Sequence, residues 1–144
     1  VSDAKVSRWT AAGGNIGSVT AYLAVRRCRG LASGLYAYVI ETHQLALLDD
    51  DPSLLPGASD VTLVLTGDYR KVAQKYAAFA LRIVLLDGGC AQASLRRASS
   101  ALAVPISMRT AWDDELIAAA LRVEPDVEPL TAVADLGAGH DLSA

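Results

Sequence analysis

Apolar and polar positions change their spacing several times along the 144 residues, and each change marks an element. Residues 19–26 (VTAYLAVR) are almost continuously apolar and rich in β-formers, which predicts a central strand covered on both faces. Residues 34–40 and 43–48 are two short apolar runs separated by Glu41-Thr42, the pattern of a hairpin, which the acidic loop Asp49-Asp50-Asp51-Pro52 closes. Residues 61–66 predict a third buried strand, after which Asp68 can cap a helix. In that helix Val72, Tyr76, Phe79, Ile83 and Leu86 recur at helical spacing and are expected to face the core. The helical pattern continues to Leu102. Gly88-Gly89 interrupts it, where a kink or close backbone packing is expected.

Residues 104–108 predict a strand, placed by Pro105 at an edge or a strand start. Residues 110–121 read as a helix opened by Asp113, Asp114 and Glu115, whose charges suit the positive end of the helix dipole. Residues 130–136 give a last strand. Before the first strand lies a polar, glycine-containing loop with room for one helical turn, ending Gly13-Gly14-Asn15-Ile16-Gly17-Ser18. The chain is expected to be one α+β domain over residues 1–144, with flexible ends at 1–10 and 137–144.

Composition narrows the function. Thirteen basic and 16 acidic residues give a net charge of −3 and a pI near 5.2, without the basic excess of a nucleic-acid footprint. No apolar run approaches the roughly 20 residues that span a bilayer, and the first ten residues (VSDAKVSRWT) lack the layout of a signal peptide. A cytoplasmic protein binding neither nucleic acid nor membrane is expected. Cys28 and Cys90 are far apart, and with only His43 and His140 beside them they suit neither a metal site nor a disulfide framework. The acidic run at residues 49–51 is a solvated turn, since calcium loops alternate their oxygen ligands.

Lysine occurs three times and arginine ten, so a well-placed lysine stands out. The candidate is Lys75-Tyr76, on adjacent helical positions about 100° apart, which can set one residue in the core and the other beside a pocket. Lys71 and Arg82 fall on about the same face as Lys75, and positive neighbours with partial burial would bring its amine closer to a general base. On spacing alone the bland alternative weighs more: a core tyrosine next to a solvated lysine.

Residues 75–89 (KYAAFALRIVLLDGG) resemble the segment of flavin-dependent azoline dehydrogenases that opens with a Lys-Tyr pair and runs to an Arg, an apolar stretch and an Asp-x-Gly. Three further stretches agree in order: residues 12–15 (AGGN) with the strand after them, residues 29–38 (RGLASGLYAY), and Val104-Pro105-Ile106 followed by Trp112-Asp113-Asp114-Glu115-Leu116. The likeness covers roughly residues 10–137 and points to the azoline dehydrogenase branch of the nitroreductase superfamily.

The resemblance implies a mixed sheet flanked by helices and a homodimer, or a complex with a biosynthetic partner, that holds FMN between subunits. It also implies hydride transfer from a thiazoline or oxazoline ring of a modified peptide to the flavin. Lys75 and Tyr76 match the pair that assists removal of the ring proton, and Gly13, Gly14 and Asn15 match the small-residue flavin loop. Family members carry an upstream helical portion whose arginines help hold the FMN phosphate. This sequence starts after it, and Arg109 is the candidate substitute, since guanidinium pairs well with phosphate, against the blander alternative of a solvated surface arginine. The family pattern is also altered at Phe79, Ala80, Leu81, Cys90 and residues 100–103. Two alternatives follow: a flavin-free relative that binds a partner as a scaffold subunit, and a cofactor-independent enzyme moving protons with Lys75 and Tyr76.

Overall fold

The computed structural model describes residues 9–137, so most of both ends expected to be flexible lies outside the described residues. The apolar runs form the strands they predict: β1 (Val19–Val25), β2 (Gly34–Val39), β3 (Gln44–Asp49), β4 (Val61–Gly67), β5 (Ile106–Met108) and β6 (Leu130–Leu136). They build one sheet in the order β3-β2-β1-β4-β6-β5, and all five pairings are antiparallel where the resemblance implied mixed ones. β5 pairs with β6 alone and forms one edge, as Pro105 predicts.

Because alternate residues point to opposite faces, the two-sided strands serve two cores at once. Tyr22, Ala24, Leu35, Val64 and Val133 point to one face, where Ile117, Ala118 and Leu121 of helix α3 (Asp114–Leu121) cover them. Leu63, Leu65 and Ala132 point to the other, with Val19, Ala21 and Leu23 beside them and Ala91 and Leu95 of helix α2 (Ala80–Ala101) above. The architecture is α+β, an antiparallel sheet between helices.

The long helix differs from expectation. Asp68 caps its start, accepting the Lys71 N–H at 2.9 Å, but α1 (Tyr69–Tyr76) stops at Ala77, which has φ 45° and ψ −125°. A single 3-10 turn (Ala77–Phe79) then leads into α2. A residue with a β-carbon at positive φ costs about 1–3 kcal/mol and persists only where its surroundings impose it. The break rotates the inward face. Val72 is buried as expected, but from Tyr76 to the end of α2 the buried positions are Ala80, Val84, Asp87, Gly88 and Ser99, while Phe79 and Leu86 are 48% and 61% exposed.

At Gly88-Gly89 there is no kink. A β-carbon on Gly88 would lie 2.8 Å from the Thr131 β-carbon, so the glycine permits close packing of α2 on β6. Gly67, at the end of β4, admits the side chain of Val84 in the same way. Contrary to the expectation for apolar runs, the helical stretch Tyr69–Ala101 holds one 18-residue window long and apolar enough, by length and composition alone, to cross a bilayer. Its Ala80, Val84 and Gly88 pack inward, and its outward face is apolar too, with Leu81 and Leu85 about half exposed.

Candidate active site

The glycine loop before β1 is fastened to α2 rather than free. Asn15 N–H donates to Ala12 O at 3.0 Å and Ile16 N–H to Gly13 O at 3.2 Å, closing a 3-10 turn over Gly13–Asn15. Gly14 (φ 57°) and Asn15 (φ 56°) are both left-handed, a conformation that glycine and asparagine adopt most readily. Gly13 sits against α2: a β-carbon there would lie 2.5 Å from Ile83 Cγ2. Its N–H donates to Asp87 Oδ1 at 2.8 Å, and Ser18 Oγ donates to Asp87 Oδ2 at 2.7 Å. Further back, Thr10 Oγ1 donates to Ser94 Oγ at 2.9 Å.

On the far side of the turn stand the last two residues of α1. A β-carbon on Gly14 would lie 2.6 Å from Tyr76 Oη and 2.9 Å from Lys75 Nζ, so the phenol and the amine both end at this turn. Lys75 Nζ is also 5.5 Å from the Tyr76 ring centroid, within cation–π range. Tyr76 is half-buried, packed with Ile16, Tyr69, Ala73 and Ile83 around Val72, Ala80 and Val84. Lys75 is exposed, not partly buried as expected. The pair therefore divides as adjacent helical positions should, one member anchored in apolar packing and the other reaching over solvent to the same point. Four of the expected site residues, Gly13, Gly14, Lys75 and Tyr76, are thus brought together, with Asn15 next in the turn.

Arg109 is not brought to this site. Its Nε and Nη2 donate to Asp135 Oδ2 and Oδ1, each at 2.8 Å, and Nη2 donates also to Pro56 O at 2.8 Å. Asp135 additionally accepts from Ser59 Oγ at 2.8 Å and Thr62 Oγ1 at 3.1 Å. Asp135 pairs in register with Thr62, whereas Val19, which follows the glycine loop, pairs with Gly67, so five residues of β4 separate the two regions. At about 3.3 Å per residue that is about 16 Å. Arg109 is a clamp on β6 and the loop before β4, and its guanidinium is not available as a phosphate contact.

The Arg109 hydrogen bonds hold the Asp135 carboxyl below the usual carboxylate range against the opposing effect of burial, with Ser59 and the Arg109 charge helping. Since its value is lower folded than unfolded, Asp135 stabilises the protein above about pH 4 and that contribution is lost as pH falls through the folded value. Thermal unfolding followed from pH 6 downward is expected to show this loss, and Asp135→Asn is expected to flatten the profile below about pH 4. An unchanged profile would mean that the pairing contributes nothing.

Across α1 a cleft of about 400 Å³ is lined by Asp68, Lys71, Gln74 and Glu128. Glu128 Oε1 accepts Tyr22 Oη and Thr66 Oγ1, each at 2.7 Å. Burial first, then the Glu128 hydrogen bond and charge, push the Tyr22 phenol up.

Asp87 and Ser18 carry little signal in the sequence that marks them as site residues. The assumed stripe put Leu86 on the inner face, and only the Asp-x-Gly step hinted at Asp87, a lone acid in an apolar run.

The architecture has known counterparts. A protein from Anabaena variabilis described as a nitroreductase superposes with a TM-score of 0.81 over 88% of this chain, at 20% identity. The fold is nitroreductase-like. A chain of the E. coli microcin synthetase McbBCD complex, solved with truncated pro-MccB17 bound, superposes with a TM-score of 0.76 over 94% of this chain at 16% identity. A Ralstonia eutropha protein, also described as a nitroreductase, gives 0.74 over 93% at 15% identity. The chain spans 28%, 57% and 64% of the lengths of these three structures, respectively. No protein-family profile and no curated protein matches the sequence.

Proposed function

We propose that this chain belongs to a flavin-dependent oxidoreductase of azoline dehydrogenase type, acting on a modified peptide as a homodimer or within a biosynthetic complex. The observation that carries this reading is the meeting of Lys75 Nζ and Tyr76 Oη over Gly14. The peptide-bound synthetase among the structural counterparts supports the substrate class. The apolar outer face of α2, with Leu81, Leu85 and Leu86 exposed and nothing within 4 Å of a β-carbon on Gly89, supports a packed partner.

The residues fit FMN at one end only. An ammonium and a phenol beside a turn with no side chain at Gly13 and Gly14 suit the polar edge of a flavin ring or the substrate next to it. The phosphate end lacks Arg109, which is held by Asp135, so that arginine supplies no phosphate contact in this reading. When bound, FMN supplies the two-electron acceptor. The protein's own part is proton handling and orientation: Lys75 Nζ, in its uncharged amine form, takes the proton leaving the azoline ring and becomes the ammonium, Tyr76 Oη holds the ring in place from its packed position, and the 13–15 turn limits approach from below.

The test begins with the visible spectrum of the purified protein after FMN addition. Bound flavin is expected, with turnover falling about 10²–10⁴-fold in Lys75→Met and the fold intact. No bound flavin would defeat the reading. A second reading, a flavin-free subunit that binds a partner, is favoured by the engagement of Arg109 and by the apolar face of α2. It gains if flavin never binds.

A further inference from the structure

The glycine turn has little conformational preference of its own, yet its place decides where the amine and phenol meet. Between Gly13 and Ser18 lie Gly14, Asn15 and Gly17, all left-handed, with φ of 57°, 56° and 70°. Both ends of this stretch are held by one side chain. Asp87, 3% exposed, accepts the Gly13 N–H with Oδ1 and the Ser18 hydroxyl with Oδ2. Among the described residues no lysine, arginine or histidine lies within ion-pair distance of it. A carboxylate buried without a counter-charge is costly unless its oxygens are hydrogen-bonded, and here the donors are the loop's own.

We propose that Asp87 is the positioning residue of the site: its carboxylate latches the 13–18 loop to α2 and so sets Gly14 beneath Lys75 Nζ and Tyr76 Oη. This rests on the reading of Lys75 and Tyr76 as the working pair. The latch acts by geometry rather than charge. Asparagine can replace it, because the amide oxygen accepts the Gly13 N–H while the amide NH₂ donates to Ser18, whose hydroxyl can also accept. Alanine cannot.

The test needs no flavin. The three lysines are reductively methylated with ¹³C, which keeps their charge, and the Lys75 signal is assigned by Lys5→Arg and Lys71→Arg. Its chemical shift reports the Tyr76 ring 5.5 Å away. Asp87→Ala is expected to move the Lys75 signal toward that of exposed Lys71, whereas Asp87→Asn leaves it at the wild-type position. The proposal is overturned if Asp87→Ala folds and leaves the signal in place, or if Asp87→Asn moves it equally. Should Asp87→Ala not fold, Ser18→Ala removes one latch bond and is expected to shift the signal in the same direction; no shift there overturns the proposal too. Failure of FMN to bind would sink the flavin reading without touching this result, and an unmoved Lys75 signal in a flavin-binding protein would sink the latch alone.

Discussion

Gly14→Ala is expected to reduce the proposed azoline oxidation about a hundredfold while lowering stability by only about 1 kcal/mol. The two effects separate because of what the new methyl group meets. It would press on Tyr76 Oη and Lys75 Nζ, the far ends of flexible side chains, which swing aside at little cost. The stability loss comes from holding a β-carbon at φ 57°. The catalytic loss comes from the displaced amine and phenol, since misplacing a reacting group by about 1 Å can cost two orders of magnitude. Steady-state turnover paired with a urea unfolding curve checks both. Turnover held at the wild-type rate would show that the two side chains are not used.

Arg109→Ala is expected to do the reverse, destabilising the protein by about 2 kcal/mol while leaving the proposed FMN binding unchanged. The loss is kept at that level because the Arg109 and Asp135 side chains are 21% and 26% exposed, so water partly screens the pair. What remains is an Asp135 carboxylate with only Ser59 and Thr62 as hydroxyl donors, and a Pro56 carbonyl without its guanidinium. Urea unfolding measures the first effect and flavin titration of the folded variant the second. A stable variant that no longer binds flavin would return Arg109 to the ligand.

Particular residues explain what the sequence made legible. The strands were readable because 19–25, 61–67 and 130–136 lie in the middle of the sheet and are apolar on both faces. The hairpin was readable from two apolar runs around a polar pair. The interruption at Ala77 was not, because alanine is an ordinary helix residue and nothing in its neighbours signals positive φ. With that break unsignalled, the helical spacing points Phe79 and Leu86 inward where the structure buries Ala80 and Asp87, although Ile83 packs as its spacing predicts. Lys75-Tyr76 stood out as a motif, but its meeting with Gly14 joins residues about 60 positions apart and depends on the loop being tied to α2. The engagement of Arg109 is illegible for a similar reason: its carboxylate partner comes from the neighbouring strand, 26 residues on.

The glycines at 67 and 88 have a mechanical consequence. Val84 of the helix enters the notch at Gly67 in the sheet, while Thr131 of the sheet enters the notch at Gly88 in the helix. Two reciprocal pegs, about one helical turn apart, forbid α2 from sliding along or rolling over the sheet. Asp87 lies between the two pegs, so the residue that grips the loop stands on the stretch of α2 whose seat on the sheet is fixed at both ends.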